Sequence, residues 1–287
     1  MSHLDISCVE DVLWVAARPT GLAIYDFDFR RYFSCRSSMA CPPGRRAVAR
    51  VGAISDYRQF YEEIEGFGLR LIHTPDEHDR ASRLPDWYPR LADLTPRSVW
   101  YEGIPSIRQI EADFGWPIFV KGARQTHGHR RSLSIASDPE EYEGLAARYA
   151  ADPVLRWQSL VVREFVPLRR VEETEFDRVP ASFEFRTFWW YGRLVGAGRY
   201  WWEDRPYAWT EHERKDALEV AGEAAARLRL PFVAIDVALT EEGRWIVLEC
   251  NDGQESGYAG VLPVGLWQSI LTLESQHPRP SETVSDS

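Results

Sequence analysis

Two short apolar runs toward the C-terminal end, Ala234-Ile235-Asp236-Val237 and Val247-Leu248-Glu249-Cys250-Asn251, each carry a carboxylate where a core strand ordinarily carries none. Burying an ionised carboxylate in such a setting costs several kcal/mol unless a partner compensates it. The turn Glu241-Glu242-Gly243 pairs the strands expected at 232–239 and 244–250 and brings the two carboxylates together. Side chains alternate across a strand, so Glu249 and Asn251 project to one face. Asp236, Glu249 and Asn251 then converge as three oxygen ligands, a donor set suited to magnesium with waters and phosphate oxygens. Ion pairs from Asp236 and Glu249 to arginines such as Arg186 or Arg199 are the alternative compensation.

The rest of the chain reads as mixed α and β structure. Apolar runs at 12–17 and 22–25, separated by Arg18-Pro19-Thr20-Gly21, suggest two strands and a turn. Asp56 caps a helix bearing Phe60, Ile64 and Phe67, followed by a strand at 69–73. Proline-punctuated residues 74–96 read as a linker with one or two helical turns. Beyond it come a helix at 105–114, a strand at 117–121, a polar loop at 122–131, a strand at 132–136 and a helix capped by Asp138 with Pro139 at its first position. An apolar strand is expected at 160–166, and two aromatic strands at 182–191 and 194–202 form a hairpin around Gly192-Arg193. A helix at 210–228 and a last helix at 264–273 complete the pattern. The aromatic density of the hairpin is read as its packed face.

Composition narrows the function. With 44% hydrophobic and 13% aromatic residues the chain has material for a buried core, and a net charge of −10 gives no global field for a phosphate backbone, so nucleic acid is not an expected partner. Four scattered cysteines lack zinc-site spacing and disulfide density, and no window approaches a membrane span, so a cytoplasmic protein with no membrane association is expected.

The order Asp236, Glu249, Asn251 resembles the C-terminal metal-binding signature of the ATP-grasp superfamily, shared by D-alanine–D-alanine ligase, glutathione synthetase and biotin carboxylase. Other parts fall in the family's order. Lys121, ending the run Ile118-Phe119-Val120-Lys121, resembles the lysine that reaches the α-phosphate and adenine edge. The loop 122–131, with Arg124, Arg130 and Arg131, sits where the family folds a loop over the triphosphate. Arg163, Glu164, Phe165 and Val166 lie in a stretch resembling the hinge whose backbone pairs with adenine. Glu184-Phe185-Arg186 and Gly198-Arg199-Tyr200 resemble a clade named for two arginines and a lysine, and the two arginines are carried over as Arg186 and Arg199.

The resemblance implies an ATP-grasp fold (α+β and α/β): an N-terminal α/β domain with linker at 1–100, an ATP-grasp domain at 101–275 whose two lobes grip ATP, and a disordered tail at 276–287. It implies ATP and Mg2+ as cofactors, and a ligase that activates a small-molecule or peptide carboxylate as an acyl phosphate and passes it to an amine. Lys121, Arg186 and Arg199 would balance phosphate charge as it transfers. A small-molecule kinase of the same fold and an inactive nucleotide-binding regulator are the rival readings.

Overall fold

The computed structural model describes residues 4–37, 43–52, 54, 56–124, 130–171, 177–202 and 206–276. The expected disordered tail, from residue 277 on, and the centre of the 122–131 loop lie outside the described residues.

The first sheet contains β1 (Asp5–Val9), β2 (Leu13–Ala17), β3 (Cys35–Ser37), β4 (Arg45–Arg50) and β5 (Leu69–Leu71), in the order β3-β1-β2-β4-β5. The pairs β2–β4 and β4–β5 are parallel. Helix α1 (Tyr57–Gly66) crosses between β4 and β5, and Phe60 and Ile64 pack it on Ala47, Leu69 and Leu71. Asp56 caps it as expected, accepting from the Gln59 amide. The expected strand at 22–25 is a turn. The Thr20 and Gly21 amides donate to the Asp26 carboxylate, which curls the chain, and Leu22 is left exposed. Apolarity without a paired neighbour does not make a strand.

The stretch read as a linker contains two full helices, α2 (Pro75–Ser82) and α3 (Leu84–Leu91). Thr74 and Glu77 close a capping box on α2, and Leu84, Trp87 and Leu91 form the buried stripe of α3. Prolines at the first turns, where the missing amide is harmless, had the look of punctuation.

A second sheet follows from β6 (Ser98–Tyr101), helix α4 (Ile107–Asp113), β7 (Ile118–Gly122), the short α5 (Arg131–Ser134), β8 (Ile135–Ala136), α6 (Pro139–Ala151) and β9 (Leu160–Glu164). Its order is β6-β9-β7-β8, with α4 and α6 supplying Ile110, Tyr142, Leu145 and Tyr149 to the core beneath it. Residues 131–134, expected as strand, are helical; only Ile135 and Ala136 pair with β7. The third sheet is β11-β10-β12-β13, from β10 (Glu184–Trp190), β11 (Arg193–Arg199), β12 (Phe232–Leu239) and β13 (Trp245–Asp252), with α7 (Glu211–Leu228) between β11 and β12 and α8 (Pro263–Gln276) last.

This third sheet is buried on both faces. Phe185, Trp189, Ile235, Val237 and Cys250 face α7 and α3, while Phe188, Trp190, Phe232 and Ala234 face α8 and the first sheet. The hairpin aromatics are thus core, each worth roughly 2 kcal/mol on burial. Cys8, Cys35 and Cys250 are free thiols. Among the described residues no helix is long and apolar enough to cross a membrane.

Candidate active site

The register of the third sheet places three charged residues in one row: Arg186 lies opposite Asp236, and Asp236 opposite Glu249. Directly opposed residues share a face with Cβ atoms roughly 5 Å apart. Arg186 grips Asp236 with two bonds, Nε to Oδ1 at 2.8 Å and Nη2 to Oδ2 at 2.7 Å, and its Nη1 donates to the Gly257 carbonyl at 2.9 Å. Tyr200 lies against the guanidinium, 5.0 Å from ring centroid to Cζ. Burial works against the Arg186 charge, but the Asp236 carboxylate outweighs it and lifts the guanidinium pKa above its ordinary value.

Glu249 meets a cation from the neighbouring sheet. Lys121, one residue before the end of β7, forms an ion pair with Glu249 Oε1. Burial raises the Glu249 carboxyl, the Lys121 ammonium more than offsets it, and the net shift is downward. Asn251 reaches the same carboxylate. The row therefore reads Arg186, Asp236, Glu249, Lys121: cation, anion, anion, cation.

A cavity of about 680 Å³ opens between the second and third sheets, a size typical of small-molecule sites. Phe119, Ile135, Phe165, Val166 and Leu248 give it apolar walls; Lys121, Glu184, Tyr200 and Glu249 give it polar ones. Phe165 and Val166 follow the end of β9, and among the described residues none exchanges a backbone hydrogen bond with them. The main chain facing the cavity is left with bonding capacity.

The sequence candidates divide accordingly. Lys121, Glu249 and the stretch Glu164, Phe165, Val166 line the cavity together. Asp236 is 1% exposed, both oxygens held by Arg186, the arginine partnership that stands as the alternative to a metal ligand. Three arginines need correction. Arg199 pairs in register with Phe185 and so lies on the opposite face from Arg186; its guanidinium rests over Tyr207. Arg163 borders the cavity, but its guanidinium is spent on Ser98 Oγ, the Leu248 carbonyl and Thr95 Oγ1, with burial pulling its pKa down to about 10. It ties β9 to β13. Arg124 turns to His78 on α2 instead of the cavity.

Two features escape sequence reading. Glu184 lines the cavity with its carboxyl on Ser182 Oγ and Trp201 Nε1, and burial, with Asp236 adding, raises its pKa to about 8. Asp252, fully buried, accepts from both His73 Nδ1 (2.8 Å) and His78 Nδ1 (3.0 Å). His73 Nε2 accepts the Phe232 amide, which fixes its neutral tautomer. Burial alone would raise the Asp252 carboxyl; the two imidazoles reverse this and hold it well below the usual carboxylate range. Only the position of His73 just after an apolar strand hinted at the network.

Among the described residues no three His, Cys, Asp or Glu side chains cluster to hold a metal, and it is Asn251 that extends the Asp236–Glu249 pair. Those donors are all oxygen, with Glu249 21% exposed, so Glu249 and Asn251 fit a hard cation. Asp236 fits only by exchanging a bond to Arg186.

Sheets closing on a cavity, with a lysine from one meeting a carboxylate from the other, define the ATP-grasp class. Its fold is seen in the RimK domain protein ATP-grasp from Sphaerobacter thermophilus DSM 20745, at TM-score 0.56 and 14% identity over 83% of this chain and 86% of that chain. It is seen also in D-alanine–D-alanine ligase from Bacillus anthracis complexed with ATP, at TM-score 0.54 and 12% identity over 80% and 78%. At such identities the likeness is one of fold. No curated protein matches the sequence. Residues 100–270 match the model of the ATP-grasp domain of the clade named for two arginines and a lysine, family 3, and the chain belongs to that family.

Proposed function

We propose that this protein is an ATP-dependent carboxylate–amine ligase working through an acyl phosphate. The observation that carries the reading is the contact of Lys121 with Glu249 at a cavity bordered by the unpaired main chain of Phe165 and Val166. On this reading the backbone at 164–166 recognises the adenine edge, Lys121 meets phosphate, and Arg186 stabilises charge as the γ-phosphate moves to the carboxylate. The amine then attacks the acyl carbon and phosphate leaves. Glu249 and Asn251 would hold Mg2+, which when bound neutralises charge across the phosphates. The spacing Asp236, Glu249, Asn251 supports kinship with the metal motif of D-alanine–D-alanine ligase and glutathione synthetase. Residues 101–275 form the catalytic domain, and residues 1–100 contribute to acceptor binding.

The test is thermal stabilisation by ATP and by a non-hydrolysable analogue, with and without magnesium, in wild type and Glu249→Gln. At a hundredfold excess over Kd, binding stabilises by about 2.7 kcal/mol, which moves the midpoint of a chain this size by about 5–10 °C. The shift should require magnesium and disappear in Glu249→Gln. No shift with any nucleotide would refute the reading. Product analysis separates its rivals: phosphate with a new amide identifies a ligase, a phosphorylated hydroxyl a kinase.

A further inference from the structure

A few residues beyond Lys121 and Glu249, the chain segments leaving β7 and β13 meet a third element, α2. His78 of α2 is 1% exposed and stacked flat on Tyr57, with ring centroids 3.9 Å apart and planes at 2°. Its Nδ1 is bonded to Asp252, its Nε2 contacts the Arg124 guanidinium, and Glu255 Oε1 lies 3.8 Å from that same Nε2. A guanidinium only donates, so Nε2 accepts and the imidazole is neutral. Arg124 and Glu255 therefore converge on one uncharged nitrogen. Among the described residues neither forms an ion pair with the other or with any further fixed charge.

Glu255 is the more exposed to this deficit. Its Oε1 is buried without a hydrogen-bond partner, although the Ile54 amide donates to the carboxylate. A buried carboxylate oxygen with no donor is costly, and a ligand ammonium would recover that cost. Arg124 engages one guanidinium nitrogen on His78 and has further donors to offer. Asp79 acts electrostatically on Glu255, and Asp86 is acted on by Arg124, which biases the surroundings toward a ligand carrying positive charge.

The geometry points to a subsite for a free α-amino acid, its ammonium on Glu255 and its carboxylate on Arg124. The two protein charges flank a single imidazole nitrogen, which matches charges on adjacent carbons and not those at the two ends of a long diamine or peptide. Arg124 lies three residues, at most about 10 Å of chain, from Lys121, which puts the subsite next to the phosphates of the proposed ligase. The inference rests on that reading and names one of its two substrates.

Saturation-transfer NMR on the full chain, with magnesium and a non-hydrolysable ATP analogue, tests it using three mixtures: the twenty amino acids, their N-acetyl derivatives and their carboxamides. Free amino acids should give transfer to at least one member, and blocking either end should weaken the same side chain about tenfold or more, the loss of one charge-assisted bond. Glu255→Gln should do so as well, with circular dichroism confirming its fold. No transfer to any free amino acid, or equal transfer to a blocked form, overturns the subsite. Nucleotide stabilisation of the wild type, measured separately, shows whether the ligase reading stands when the subsite falls.

Discussion

Asp236→Asn keeps the shape of the side chain and removes its charge. Arg186 needs two acceptors at 2.8 and 2.7 Å; asparagine supplies one oxygen and sets an N–H against the second donor. Arg186 is 8% exposed and its pKa lies above the ordinary value, so it neither reaches water nor sheds its proton. Removing one partner of a buried pair costs about 3–5 kcal/mol. The surviving bond from Nη1 to Gly257 and the Tyr200 ring beneath favour the lower end, about 3 kcal/mol. At about 2–4 °C per kcal/mol this lowers the melting midpoint by about 6–12 °C, read by circular dichroism in EDTA without nucleotide so that no ligand contributes. The double variant Asp236→Leu with Arg186→Met should recover most of the loss, since two apolar side chains leave no stranded charge. A drop below about 2 °C for Asp236→Asn, or a double variant as unstable as the single, would refute the view that these groups hold each other.

Glu184 predicts a pH dependence: its folded pKa of about 8 stands above its ordinary 4.5, so the stability it contributes is full below pH 4.5 and is lost as pH rises through 8. Glu184→Gln should remove this decline, worth on the order of a few kcal/mol; an unchanged pH profile of the melting midpoint would sink the assignment. Gly198→Ala places a Cβ 2.3 Å from the Gly260 carbonyl carbon, backbone that must shift to admit it. A loss of about 1–3 kcal/mol in urea unfolding is expected, and wild-type stability would disprove the close approach.

The strands and helices that sequence reading located well carry their signal locally. Asp138-Pro139, Asp56 and the period-2 aromatics of β10 are decided within a few residues of themselves. Residues 22–25 were misread because their turn depends on Asp26 accepting from amides behind it, and α3 because its prolines sit in its first turn and at Pro89 without ending it. At the site, the meeting of Asp236 with Glu249 was readable, since one turn joins their strands. The face of Arg199 was not: it depends on the pairing of β11 with β10, and sliding that pairing by one residue would bring it beside Asp236. His73 and Asp252, brought together by the docking of the first sheet on the third, left no local trace.

The row of charges bears on how a ligand would enter. Two anions are already answered by two cations, so the site is neutral as it stands, not a bare acidic cleft awaiting metal. The two halves differ in access, however. Arg186 and Asp236 are sealed in a bidentate pair, while Glu249 keeps 21% of its side chain exposed and Lys121 approaches it from a different sheet. On the ligase reading, Lys121 can transfer its charge to an incoming phosphate, and the carboxylate it leaves behind then requires a cation of its own. Phosphate recognition by Lys121 and cation recognition by Glu249 and Asn251 thus become one event, set by the contact between two sheets that only a bound nucleotide has reason to part.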